Sequence, residues 1–246
     1  MNGFPTCQKE IRIKFHVINA LNNKGIEAVT VKATGSSQGL LSEVTDEGGF
    51  ATVGPFVPGE SITVHVANNG FDDVEQVIVA TDDTDKMMLG MNPTGPDIRL
   101  ILTWGPSPSD LDSYVKFFDA SGNEECKLYW NNKACGDYAT LDIDETNGGD
   151  NGPETITIKE VPEGLTAMYY VYDFSNKIGR SMSWADSDSK STIFSPSGGG
   201  STVVPYDDDK KDGDRYFVVG CFGSAGYSAF SAKGKAASSI SFANCQ

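Results

Sequence analysis

The chain is written as short runs in which apolar and polar residues alternate. Ile11, Ile13, Phe15 and Val17 are interleaved with Arg12, Lys14 and His16. That period of two buries one face of a strand and wets the other. Val29 and Val31 alternate with Thr30 and Lys32, and Ile62, Val64 and Val66 with Thr63 and His65. Turn clusters separate the runs: Asn22-Asn23-Lys24-Gly25, Asp46-Glu47-Gly48-Gly49, Pro58-Gly59-Glu60 and Asn68-Asn69-Gly70. Further strands are expected at 77–79 and from Met87. A Pro/Gly stretch, Asn92-Pro93-Thr94-Gly95-Pro96, then interrupts the pattern. Beyond it the same texture resumes at 97–104, 109–115, 139–158, 167–174, 201–206 and 216–222. No ten-residue stretch carries a 3.6 period. The expectation is an all-β protein of two β-sandwich domains in tandem, 1–92 and 97–246, joined by a linker at 93–96.

Two series of motifs go further than the period. The first runs Lys24-Gly25-Ile26-Glu27-Ala28-Val29-Thr30-Val31, Val44-Thr45-Asp46-Glu47-Gly48-Gly49-Phe50, Gly54-Pro55-Phe56-Val57-Pro58-Gly59-Glu60 and Val64-His65-Val66-Ala67-Asn68-Asn69-Gly70-Phe71. Over about residues 8–91 it resembles the carboxypeptidase regulatory-like domain, a small prealbumin-like β-sandwich. The resemblance implies that fold and a structural or spacer role, with no activity. The second series runs Leu102-Thr103-Trp104, Asp110-Leu111-Asp112, Leu141-Asp142-Ile143-Asp144, Gly152-Pro153-Glu154-Thr155-Ile156-Thr157 and Tyr169-Tyr170-Val171-Tyr172. Over about residues 97–225 it is similar to the YfaP-type bacterial domain of unknown function. That similarity implies a β-sandwich of envelope or surface proteins.

Charge narrows the partners. Nineteen basic residues against 34 acidic give a formal net charge of −15. Such a balance disfavours nucleic acid and anionic membranes as general partners. No apolar run approaches the roughly 18 residues of a membrane span. The start, Met1-Asn2-Gly3-Phe4-Pro5, shows no signal peptide, so secretion is expected only if Met1 opens a mature chain. Five cysteines, at 7, 126, 135, 221 and 245, point to an oxidising, extracellular setting. Counting alone leaves the connectivity open, but Cys126 and Cys135 bracket a hairpin-sized loop and Cys221 and Cys245 form the next pair. Cys7 is then spare. The competing picture is five reduced thiols in a cytosolic chain; no C-x-x-C supports a zinc or redox site.

Acidic pairs are the most informative chemistry. Asp110 and Asp112, and again Asp142 and Asp144, sit two apart, which on a strand puts both on one face about 6.6 Å apart. Glu145, Asn147, Asp150 and Glu154 follow in a Gly-rich loop. Crowded carboxylates on neighbouring strands repel unless an ion joins them. Calcium, which takes about 6–8 oxygen ligands, suits the set Asp110, Asp112, Asp142, Asp144, Glu145, Asn147 and Glu154. The plain alternative is a solvated acidic surface, the reading preferred for the second run at 207–214.

Enzymatic signals are weak. Gly35-Ser36-Ser37-Gln38-Gly39 spells G-x-S-x-G but lies in a polar loop, without the strand–turn–helix a nucleophile elbow needs. Both histidines fall on polar strand faces, which leaves a His-based triad or zinc hydrolase without support. Aromatics at 129, 130, 138, 169, 170 and 184 either pack or form a sugar platform. Tyr129 and Trp130, inside the cysteine loop, are the expected exposed tip for a ligand or partner. The resulting expectation is a secreted, non-enzymatic structural or adhesive surface protein, calcium-stabilised and self-assembling or joined to other surface proteins or glycans. A calcium-dependent carbohydrate-binding module is the alternative, and a carboxylate hydrolase the least favoured.

Overall fold

The computed structural model describes residues 10–81, 86–148, 153–194, 201–206, 214–223, 235–237 and 239–245. Cys7, Asp150 and most of the acidic run at 207–214 lie outside these residues. The protein is all-β: among the described residues the only helical pieces are 3-10 turns at Ala185–Ser187 and Phe242–Cys245. Two compact units divide the chain, 1–19 with 24–91, and 20–23 with 92–246.

Among its described residues the first unit holds eight strands: β1 (Ile11–Asn19), β2 (Lys24–Gly25), β3 (Thr30–Gly35), β4 (Gly39–Val44), β5 (Phe50–Phe56), β6 (Ser61–Ala67), β7 (Val74–Val79) and β8 (Lys86–Met91). In β1 the period of two holds, with Ile11, Ile13, Phe15 and Val17 buried. Each such side chain contributes roughly 1.5–3 kcal/mol of burial. β1 pairs antiparallel with β5 and β2 and parallel with β8, and a second sheet runs β4-β3-β6-β7. The Asp46–Phe50 turn is closed by its own first residue, because Asp46 Oδ1 accepts the N–H groups of Gly48 and Phe50, both at 2.9 Å. Gly49 is required there: its φ is +80°, and a Cβ would stand 2.4 Å from the Val17 carbonyl oxygen. The G-x-S-x-G segment is the tip of the β3–β4 hairpin. Its Ser37 hydroxyl donates to Glu60 Oε2 at 2.6 Å and its N–H to Oε1 at 2.5 Å. The serine there is a latch on a turn, with no histidine beside it.

The second unit holds β9 (Ile98–Thr103), β10 (Leu111–Phe118), β11 (Glu124–Leu128), β12 (Ala134–Cys135), β13 (Ala139–Ile143), β14 (Glu154–Ile158), β15 (Thr166–Asp173), β16 (Lys190–Phe194), β17 (Ser201–Pro205), β18 (Tyr216–Gly223) and β19 (Lys235–Ala237). Two antiparallel sheets, β11-β10-β15-β18-β19 and β12-β13-β14-β9-β16-β17, face one another. One core lies between them: Leu100, Leu102, Ile156 and Ile193 from one side, Leu111, Val115, Phe117, Val171 and Phe217 from the other. This is a β-sandwich. Its buried hydroxyls are paired in a chain, since Ser191 Oγ lies 2.5 Å from Tyr206 Oη and 3.1 Å from Tyr169 Oη.

Polar-out alternation fails on the outer face of the five-stranded sheet. Tyr114, Phe118, Met168, Tyr170 and Val218 are buried there too, because Ile240, Phe242 and Cys245 of the C-terminal segment pack over them. A disulfide from Cys221 to Cys245, with Cα atoms 5.6 Å apart, pins that segment. A second, Cys126 to Cys135 at 6.0 Å, ties β11 at the edge of one sheet to β12 at the edge of the other. Both pairings are those expected from the sequence.

Candidate metal centre

The acidic residues converge at one end of the second sandwich, where the chain enters β10 and β14 and leaves β13. Asp112 is the second residue of β10 and 4% exposed; Glu154 opens β14 and is 1% exposed. The two strands belong to opposite sheets. β11 pairs with β10 only as far as Val115, and the Ser113 N–H donates instead to Glu154 Oε2 at 2.5 Å. Asp144 arrives from the end of β13. Asp112, Asp144 and Glu154 each bring a carboxylate oxygen to within 4.8 Å of the others. These three could hold a metal ion.

Several oxygens have nothing to bind. Glu154 Oε1, Asp144 Oδ1 and Asp110 Oδ1 are buried without a hydrogen-bond partner among the described residues. Leaving such a group unpaired costs roughly 1–3 kcal/mol, and more when it is charged. Some compensation exists. Lys133 Nζ lies 2.7 Å from Asp144 Oδ2, and Tyr114 Oη stands 3.5 Å from Asp112 Oδ2. Neither reaches the three empty oxygens.

The electrostatics agree with the geometry. Burial, and then the charges of Asp144, Asp173 and Glu145, push the Asp110 carboxyl up to about 6. Burial, with Asp110 and Asp144 next, raises Asp112 to about 7. Glu154 is held well above the usual carboxylate range by burial, against the lowering effect of the Ser113 N–H. The chain has gathered carboxylates where they resist ionisation, the condition a cation relieves.

The seven predicted ligands do not all meet. Asp112, Asp144 and Glu154 do; the charge of Asp110 helps raise Asp112, and that of Glu145 helps raise Asp110. Glu145 Oε1 accepts the Asn147 N–H at 2.7 Å, so these two residues brace their own turn. Asp142 is the correction. A bulge between Leu141 and Ile143 breaks the pairing with β14, and Asp142 turns to the outer face, where the hydroxyls of Thr140 (2.9 Å) and Thr157 donate to it. The D-x-D pair is thereby split. Asp110 also departs from expectation, preceding β10 rather than lying on it.

Sequence reasoning overlooked Asp173. This fully buried carboxylate accepts the Ser175 hydroxyl and the N–H groups of Lys177 and Ile178, each at 2.6 Å. Its signal was an Asp with Ser two residues on, an Asx-turn pattern. Also overlooked were Tyr114, Tyr172 and Tyr216, which with Tyr170 line a groove of about 430 Å³. Of the named aromatics, Tyr169 and Trp184 are core, and Tyr138 packs edge-on against Phe117. Tyr129 stacks on Tyr114, and Trp130 is exposed.

No family model matches the chain, and no curated protein matches it. Among solved structures it is similar to SAV2460, a protein of unknown function, at 16% identity and a TM-score of 0.47 over 58% of this chain and 90% of that one. Fervidolysin from Fervidobacterium pennivorans, a keratinolytic enzyme related to subtilisin, matches at 10% identity and 0.31, over 88% of this chain and 31% of the enzyme. A candidate carbohydrate-binding protein from Bacteroides uniformis ATCC 8492 matches at 10% and 0.28, over 79% and 98%.

Proposed function

We propose that this protein is an extracellular, non-enzymatic surface module, structural or adhesive, whose second sandwich is stabilised by Ca²⁺ at Asp112, Asp144 and Glu154. The observation that carries the reading is Glu154 Oε1, buried, unpartnered and beside two further carboxylates. The donor set is all oxygen, with neither histidine nor cysteine. That favours a hard cation over zinc or copper. Two disulfides support an oxidising compartment. No helix among the described residues is long and apolar enough to cross a membrane. The small two-sheet first unit fits the spacer role implied by its resemblance to carboxypeptidase regulatory-like domains.

Thermal unfolding of the oxidised protein in excess CaCl₂ against excess EGTA tests this. A ligand at about 100 times its Kd adds roughly 2.7 kcal/mol, which at about 2–4 °C per kcal/mol for a chain this size raises Tm by about 5–11 °C. Glu154→Gln is expected to abolish the rise while leaving the EGTA melt as high or higher, since the variant no longer buries a carboxylate. Identical melts in the two buffers would remove calcium from the reading.

A further inference from the structure

The exposed aromatics of the second unit stand at its acidic end. Trp130 is 44% exposed, and the other two tryptophans, at 104 and 184, are buried. It sits in the tight turn between β11 and β12, where the chain crosses from one sheet to the other, held by reciprocal backbone bonds between Tyr129 and Asn132 and by the Cys126–Cys135 bridge across the two edges. Its ring meets Phe174, itself 53% exposed, at 6.4 Å and 70°. Together they make two open apolar walls near right angles. Both are tied to the carboxylates. Tyr129, the residue before Trp130, stacks on Tyr114 at 5.5 Å, and the Tyr114 hydroxyl lies 3.5 Å from Asp112 Oδ2. Phe174 follows Asp173 directly, and the next residue, Ser175, donates its N–H to the Asp110 carbonyl at 3.3 Å.

The carboxylates leave a cation incompletely coordinated. Glu154 Oε2 is engaged by Ser113 and Asp144 Oδ2 by Lys133. The oxygens that remain, even with Asp110, fall short of the roughly six to eight Ca²⁺ takes. The missing ligands are best supplied by neutral oxygens. Three carboxylates outweigh one divalent cation, Asp110, Glu145 and Asp173 surround them, and the chain carries −15 overall. An anionic ligand would enter against that field. Neutral hydroxyls beside an apolar face are the chemistry of a sugar ring, whose C–H face packs on aromatic rings.

We propose that Trp130 and Phe174, with the cation centre, form a binding site for a neutral polysaccharide: one ring stacks on Trp130 against Phe174, and vicinal hydroxyls of the same chain enter the cation's open positions. The inference rests on the cation reading above and gives the adhesive surface its ligand class.

The test uses the full oxidised chain. Calorimetric titrations with cellohexaose, mannohexaose, xylohexaose and chitohexaose, and with polygalacturonate as the anionic comparison, are run in CaCl₂ and in EGTA. At least one neutral oligosaccharide is expected to bind in CaCl₂ and not in EGTA, with a change in tryptophan fluorescence that reports Trp130. Trp130→Ala, at an exposed position, is expected to weaken that binding about tenfold, or some 1.4 kcal/mol. The variant keeps the calcium-dependent rise in Tm. Absence of binding by every neutral sugar in CaCl₂, binding that persists in EGTA, tighter binding of polygalacturonate, or full affinity in Trp130→Ala would each overturn the inference. A calcium-dependent Tm rise without sugar binding sinks this inference alone; no rise at all sinks the cation reading as well.

Discussion

Two aspartates of one motif separate the structural from the chemical role. Asp142 bonds Thr140 and Thr157 on the outer face, and Asp144 faces Asp112 and Glu154. Asp142→Ala is therefore expected to cost about 1 kcal/mol, the net worth of a hydrogen bond, and to leave the calcium-dependent Tm rise intact. Asp144→Asn is expected to remove the rise; calorimetry with CaCl₂ reads both. Proton linkage adds a second check. In the metal-free protein Asp112 titrates near 7 and Asp110 near 6, against an ordinary 3.8. Between those values the folded state holds protons that the unfolded chain has lost, so stability falls as pH rises through that window. Melts in EGTA are expected to be higher at pH 5 than at pH 8, and the gain from calcium larger at pH 8. Glu60 acts with the opposite sign. The Ser37 hydroxyl and N–H hold its carboxyl down to about 2 from 4.5. Its contribution is present above 4.5 and lost as pH falls toward 2, and Glu60→Gln is expected to flatten the acid limb of the unfolding curve.

At the scale of elements, alternation was readable wherever only one face of a strand is buried. β3, β6 and β7 follow it residue by residue, and β1 follows it as far as Val17. In β10 and β15 it disappears, because the C-terminal segment roofs the outer face of their sheet. The Cys221–Cys245 bridge holds that roof. Closing a loop with a sequence separation of 24 is worth about 3.5 kcal/mol in the chain-entropy model. Cys221→Ser with Cys245→Ser is expected to lose stability of that order and to uncover Tyr114, Tyr170 and Phe118, seen as increased binding of a hydrophobic dye. The bulge in β13 is the other decisive element. One extra residue there re-aims Asp142 and Asp144 to different surroundings. Gly49→Ala meets both a positive φ and the Val17 carbonyl oxygen, and should cost more than about 1 kcal/mol by urea unfolding.

Across the whole molecule, the all-β class and both disulfides follow from local features. Period-two runs between turn residues can be little else but strands, and a separation of nine residues keeps Cys126 near Cys135 even though the chain crosses between sheets there. The acidic composition likewise marked a carboxylate-rich region before any partner was known. What no local pattern contained was which carboxylates meet. Glu154 lies ten residues beyond Asp144 and 42 beyond Asp112 in the chain, and the three converge because β10 and β14 belong to sheets that face each other. Burial, which makes the cluster more than surface charge, is likewise a property of two packed sheets. The pairing of Trp130 with Phe174 has the same origin, joining the turn between β11 and β12 to the end of β15. Sequence by itself determined the strands, the staples and the supply of acidic groups, because each depends on neighbours along the chain. Tertiary structure decided the parallel β1–β8 pairing, the roofed sheet face and the membership of the metal centre, because each depends on residues that only packing brings within reach.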